Sequence, residues 1–181
     1  MIQTLKEFLT KRDEEQIDVT VFDALISALP VKQLNTLFAP CYPLRRHAAT
    51  AWTRALAEET DQPIRLSINE KGTRPYMSEQ GTLFIPKSTF HHLDLLFIAI
   101  AHESAHFILM TSPDYERLQE LDAQYRNQGH SDVAMRSPTE YYANLLTLRI
   151  LTLCQDAASS TKLKERIGVT IDDLSRQMRK Q

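Results

Sequence analysis

The sequence predicts an α+β fold that is mostly helix, with one small sheet packed on a buried helix. Three observations lead there. Apolar residues recur every three or four positions over most of the chain, the period of a helix that buries one face. Only two short stretches read as strands: 64–68 alternates apolar with polar residues, the period of a half-buried strand, and 81–86 is a short apolar run stopped by Pro86. The 181 residues include only four glycines, fewer than the turns of an all-β chain require.

Taken in order, residues 2–12 and 16–29 read as two amphipathic helices. In the second, Ile17, Val21, Leu25 and Leu29 recur every fourth position until Pro30 stops the run. Residues 31–43 contain Pro40 and Pro43 and read as a connector with at most a short helix. Helical spacing resumes over 44–59, with Leu44, Ala48, Trp52 and Leu56 in register and Trp52 as a core anchor.

Residues 64–68 and 81–86 are the two strand candidates. The first is followed by turn residues from Asn69 to Gly72, and Pro86 ends the second. They are expected to form a hairpin or part of a three-stranded sheet. A long helix over 89–111 follows, with Ser88 or Thr89 as its N-cap, and Pro113 lies beyond its end. Further helices are expected over 114–127, from Ser137-Pro138 to about Cys154, and as one or two short pieces in 160–180. The organisation that results is an N-terminal helical subregion, 1–60, and a core, 61–181, in what is expected to be a single domain.

Charge and cysteine usage narrow the function classes. Basic and acidic residues number 21 and 23, a net charge of −2. The short basic groups, Arg45-Arg46 and Arg176, Arg179, Lys180, read as solvated helix faces, so direct nucleic-acid binding is not expected. Cys41 and Cys154 make no CxxC pair and read as two lone buried thiols, which fits a reducing compartment. The first residues lack the apolar core of a secretory signal, and the apolar run from Leu93 to Met110 is broken by Asp94, His102, Glu103 and His106. The expectation is a cytoplasmic protein with no membrane span.

Inside that apolar run lies His102-Glu103-Ser104-Ala105-His106, an H-E-x-x-H motif. Residues four apart share a helix face, so the two imidazoles can converge on one metal ion. Glu103 lies ~60° around the helix from His106. There it reaches a metal-bound water rather than the metal. The bland alternative is that both histidines are ordinary core residues satisfied by hydrogen bonds.

This segment resembles the zincin metallopeptidases, whose active-site helix carries H-E-x-x-H after a strand whose edge holds an extended substrate. The resemblance implies His102 and His106 as zinc ligands, Glu103 as general base and Leu83, Phe84 and Ile85 as the substrate edge strand. The third histidine and the glycine of the metzincin branch are absent after His106. In glutamate-type zincins a later helix supplies the third ligand, and Glu140 in Ser137-Pro138-Thr139-Glu140-Tyr141-Tyr142-Ala143-Asn144 is the best match. That stretch is similar to the ImmA/IrrE group of intracellular zincins, which regulate repressors, and to the zincin domains of antirestriction proteins. The similarity covers about 80–150.

Glu140 has a second reading. Ser137-x-x-Glu140 is also a capping box, in which the carboxylate bonds back to the Ser137 backbone instead of a metal. His130, Asp132, Glu116 and Glu120 are the reserve ligands. His130, Tyr141 and Tyr142 are candidates to stabilise the transition state, and Asn144 to orient a ligand. Asp94 reads as an acidic residue near a helix start. The function these residues predict is zinc-dependent peptide-bond hydrolysis on a protein or peptide. The alternative is a regulatory module on the same scaffold that holds zinc and acts by recognising a protein partner.

Overall fold

Amphipathic helices need a partner for their apolar stripe, and here most of them gather around one apolar helix. The computed structural model describes residues 5–11, 17–129 and 137–180. The helices are α1 (Leu5–Thr10), α2 (Asp23–Ala28), α3 (Leu34–Leu37), α4 (Tyr42–Thr60), α5 (Leu93–Met110), α6 (Tyr115–Asn127), α7 (Pro138–Ala157) and α8 (Thr161–Met178). The strands β1 (Arg65–Asn69), β2 (Tyr76–Met77) and β3 (Thr82–Pro86) form one mixed sheet. The protein is thus α+β and mostly α, as its composition indicates.

Several local expectations change. The stretch 16–29 is not one helix among its described residues: a 3-10 turn, Val19–Phe22, precedes α2. Asp18 accepts a hydrogen bond from Thr20 N at 2.9 Å and restarts the backbone there. Leu44 is 49% exposed, while Arg45 beside it is buried. The Arg45 guanidinium donates to the Ala39 and Phe90 carbonyls, so it is a structural clamp and not a solvated residue. Cys41 is exposed and only Cys154 is buried, its thiol pushed up to about 12 by desolvation. Ser88 and Thr89 fall in a 3-10 turn, Lys87–His91, and His92 takes the N-cap position of α5. The tail forms the single helix α8, capped by the Ser160 hydroxyl on Leu163 N at 3.3 Å.

Of the two alternatives for the strands, the three-stranded sheet holds and the hairpin of 64–68 with 81–86 does not. β1 and β3 pair parallel, and the hairpin is β2–β3. The turn chemistry explains it. Gly81 N donates to Ser78 O at 3.0 Å and Ser78 N to Thr82 O at 2.9 Å, closing a tight turn between β2 and β3. Gly81 has φ +75°, and a Cβ there would lie 2.2 Å from the Pro63 carbonyl oxygen, so only glycine fits. The strand order β1-β3-β2 puts β3 in the centre. Leu83 and Phe84 are therefore not edge positions, being paired on both sides, while Ile85 pairs with β1 and extends beyond the two-residue β2; Leu83 and Ile85 are core residues. The free edges belong to β1 and β2.

Helix α5 lies at the centre, against α7, β2, α3, α4 and α8. It is long and apolar enough to cross a membrane by length and composition, and its burial is that of the core helix of a soluble protein. Apolar residues from α1 through α8 join one buried cluster, and Trp52 of α4 donates to Ser104 of α5 at 3.0 Å.

Candidate metal centre

The one-turn spacing on α5 carries His102 and His106 to the same face, and their Nε2 atoms stand 3.1 Å apart. The third group comes from α7, which packs lengthwise on α5. Pro138 opens α7 and Ser137 caps it, its hydroxyl accepting from Glu140 N at 3.2 Å. Only this half of the capping box forms. The Glu140 carboxylate turns to the histidines instead, with oxygens 3.4 Å from His102 Nε2 and 3.2 Å from His106 Nε2. The competition between cap and ligand is thus resolved within one residue: the backbone takes the cap and the side chain faces the imidazoles.

The donor atoms of these three residues all lie within 4.8 Å of one another, a grouping that can hold a metal ion. The Nε2–Nε2 separation of 3.1 Å, and the approaches of 3.4 and 3.2 Å to the two different Glu140 oxygens, are close to the ligand spacing around a tetrahedral ion. Bonds of about 2.0–2.1 Å place neighbouring ligand atoms about 3.3 Å apart in that geometry. The chemistry of the set fits equally well. The Thr147 hydroxyl gives its proton to Ala143 O at 2.7 Å, so toward His102 Nδ1, 3.3 Å away, it can only accept. That places the His102 proton on Nδ1 and leaves the Nε2 lone pair facing the triad. Two imidazole nitrogens and a carboxylate then converge with too few protons to link them all.

Electrostatics follow the same layout. Burial works against the charge on Glu140, but the two imidazoles facing it, His102 and His106, outweigh that penalty and hold the carboxyl at about 2. Burial also opposes charge on His106, and the hydrogen bond and charge of Glu140 overcome it, so its pKa is raised. Glu103, 8% exposed, is raised by desolvation, with the charges of His106 and His102 and the Met77 main-chain amide acting in the opposite sense. Glu103 therefore lies beside the triad without belonging to it. The side chains of His102, His106 and Glu140 keep 23%, 18% and 25% of their surface accessible, so the group is reachable from solvent.

The other sequence candidates lie elsewhere. Tyr142 is buried, its hydroxyl accepting from Ile17 N at 3.3 Å, and Tyr141 lines the same cavity on the α1 side. Neither is brought to the triad as a stabilising group. Glu116 and Glu120 line an external groove on α6 and are not ligands. Asn144 is buried one turn after Glu140, and among the described residues it makes no hydrogen bond to Glu140 or to either imidazole. Asp94 pairs with Arg166 at 2.8 Å. His91 and His92 are exposed. His130 and Asp132 lie outside the described residues.

Two supporting residues escaped sequence reasoning. Thr147, which orients His102, sits seven residues after Glu140 and so on the same side of α7, a spacing that could have flagged it. Asp122 of α6 accepts from Thr139 N at 2.9 Å and Thr139 Oγ1 at 2.7 Å, tying down the turn that carries Glu140. Nothing in the sequence pairs residues 17 positions apart across two helices. Compared with known proteins, the chain matches no family model, no curated protein and no solved structure.

Proposed function

We propose that this protein is a cytoplasmic zinc-dependent metallopeptidase of the glutamate type, acting on a protein or peptide. The observation that carries the reading is the convergence of His102 Nε2, His106 Nε2 and the Glu140 carboxylate within 3.1–3.4 Å, with Glu103 buried alongside. These three residues would hold the ion. Zinc, when bound, supplies Lewis acidity that lowers the pKa of a bound water toward about 7 and polarises a carbonyl.

The protein's own groups do the rest. Glu103 takes the proton of the attacking water on its carboxylate and delivers it to the leaving amine nitrogen. A nearby cation favours the charged form of that carboxylate, against the desolvation that raises its pKa in the metal-free protein. Thr147 keeps the His102 lone pair aimed inward. β2 is a free edge whose Met77 main chain acts on the Glu103 carboxyl, so an extended substrate segment lies along β2 and not β3. The resemblance of 80–150 to ImmA/IrrE-type zincins supports the reading and favours a regulatory protein as substrate or partner.

Two measurements test it. Protein purified without chelator should carry about one equivalent of zinc by elemental analysis, as three protein ligands with an open fourth position predict. Glu103→Gln should retain that zinc and lose about a hundredfold or more in peptide hydrolysis, the contribution of a general base. Zinc-free protein, or an undiminished Glu103→Gln enzyme, would falsify the proposal. Zinc retained by a wild-type protein that turns over no peptide in a degenerate library would instead support the regulatory module.

A further inference from the structure

The sheet has a second free edge, on the far side of β3 from β2. Among the described residues β1 pairs only with β3. Arg65 N donates to Gly81 O at 2.9 Å, so the main-chain groups of Arg65 face β3. By the alternation of a strand, those of Leu66 and Ile68 face outward. The outward edge does not open onto bare solvent. It forms one wall of a groove of about 810 Å³ whose other wall is α4.

The groove is basic. Arg46 and Arg54 project from α4 and Arg65 from β1, all three exposed, and among the described residues none has an ion pair. The acidic residue lining it, Glu70, is already engaged by Lys87 at 3.1 Å. Unpaired edge strands invite a further strand, and proteins usually blunt them. Here three cations flank the edge without closing it. We infer that the α4–β1 groove binds an extended acidic peptide segment, which adds to β1 as a strand and places carboxylates against Arg46, Arg54 and Arg65. The spacing agrees. Arg46 and Arg54 are eight residues apart, about 12 Å along a helix. Carboxylates four residues apart on a strand are about 13 Å apart. A nucleic acid fits less well, because Tyr42 is the single aromatic ring in the groove and stacking surfaces are what single strands require.

The inference stands apart from the metal centre, and its test needs no metal-dependent activity. The probe is a fluorescein-labelled eight-residue peptide of threonine and valine with glutamates at its second and sixth positions, followed by anisotropy at low salt. Saturable binding is expected. It should weaken about tenfold in the Arg46→Ala, Arg54→Ala, Arg65→Ala triple variant, because each exposed pair contributes modestly. A probe N-methylated at alternate amides, with every side chain intact, should weaken at least as much, because strand addition uses the main chain. A lysine-for-glutamate probe should not bind. Absence of saturation up to about 1 mM, indifference to N-methylation, indifference to loss of the arginines, or preference for an oligothymidylate over the peptide would each overturn the assignment. Circular dichroism of the triple variant, expected unchanged for three exposed side chains, separates lost binding from lost folding.

Discussion

On one side of α5, Ser104 accepts from Trp52 Nε1 at 3.0 Å and passes its own proton to the Ile100 carbonyl at 2.6 Å. On the opposite side, two residues either way along the same helix, His102 and His106 face Glu140. The first arrangement is complete: each donor has an acceptor, the residues are fully buried, and no further atom is called for. The second is incomplete. Thr147 leaves His102 Nε2 as an acceptor, Glu140 is held ionised, and a proton on His106 cannot serve both neighbours. A saturated polar pair strengthens packing. A converging set of acceptors short of protons invites a cation.

The contrast can be broken by substitution. The largest effect belongs to the ligands: His102→Ala or His106→Ala should take bound zinc from about one equivalent to less than about a tenth, since two protein ligands do not retain the ion. Elemental analysis decides it, and full retention would remove the metal centre. Next is Trp52→Ala on the packing side. It should cost about 3–5 kcal/mol of unfolding free energy in denaturant titrations. The fraction that stays folded should keep its zinc, and loss of zinc from folded protein would show that the two sides are not independent.

Thr147→Val should keep the fold and weaken zinc about 10–100-fold in a competitive chelator titration, as loss of an orienting partner does. Thr147→Ser should restore most of it. Equal affinity in wild type and Thr147→Val would mean that the hydroxyl does not select the tautomer. The pH dependence gives a fourth handle. Metal needs His106 unprotonated, and its pKa is raised above 6.5, burial being outweighed by Glu140. Zinc affinity should therefore be full above that raised pKa and fall as the pH drops through it. In metal-free Glu140→Gln, NMR titration should find the His106 pKa lower than in wild type; an unchanged value would contradict the pairing. The smallest effect is Ser104→Ala, about 1 kcal/mol of stability with unchanged zinc.

The helices were legible because their apolar period is a local property. Trp52 and Leu56 bury as their spacing requires, although Leu44 in the same register does not. The helix begins two residues before that position, and Arg45 is drawn inward by the carbonyls of Ala39 and Phe90, which lie outside the helix. The sequence leaves open which of the two expected pairings forms, for a similar reason. A two-residue strand such as β2 has no period to detect, yet it takes the hairpin position beside β3 and leaves β1 to pair parallel. At the site, Glu140 was legible only as one of two readings, and Tyr141, Tyr142 and Asn144 were placed on the right helix but not at the triad.

The amino-acid order alone determined which elements form and that His102 and His106 share a helix face, because a helical period and a four-residue spacing are set within a single turn. The tertiary structure decided that Glu140 meets those rings, that Thr147 and Asp122 hold the parts in place, and that β3 is central instead of peripheral. Apart from the β2–β3 pairing, those are contacts between residues 17 to 45 positions apart. They depend on how α7 packs along α5 and on where a short strand docks, and no local pattern encodes either.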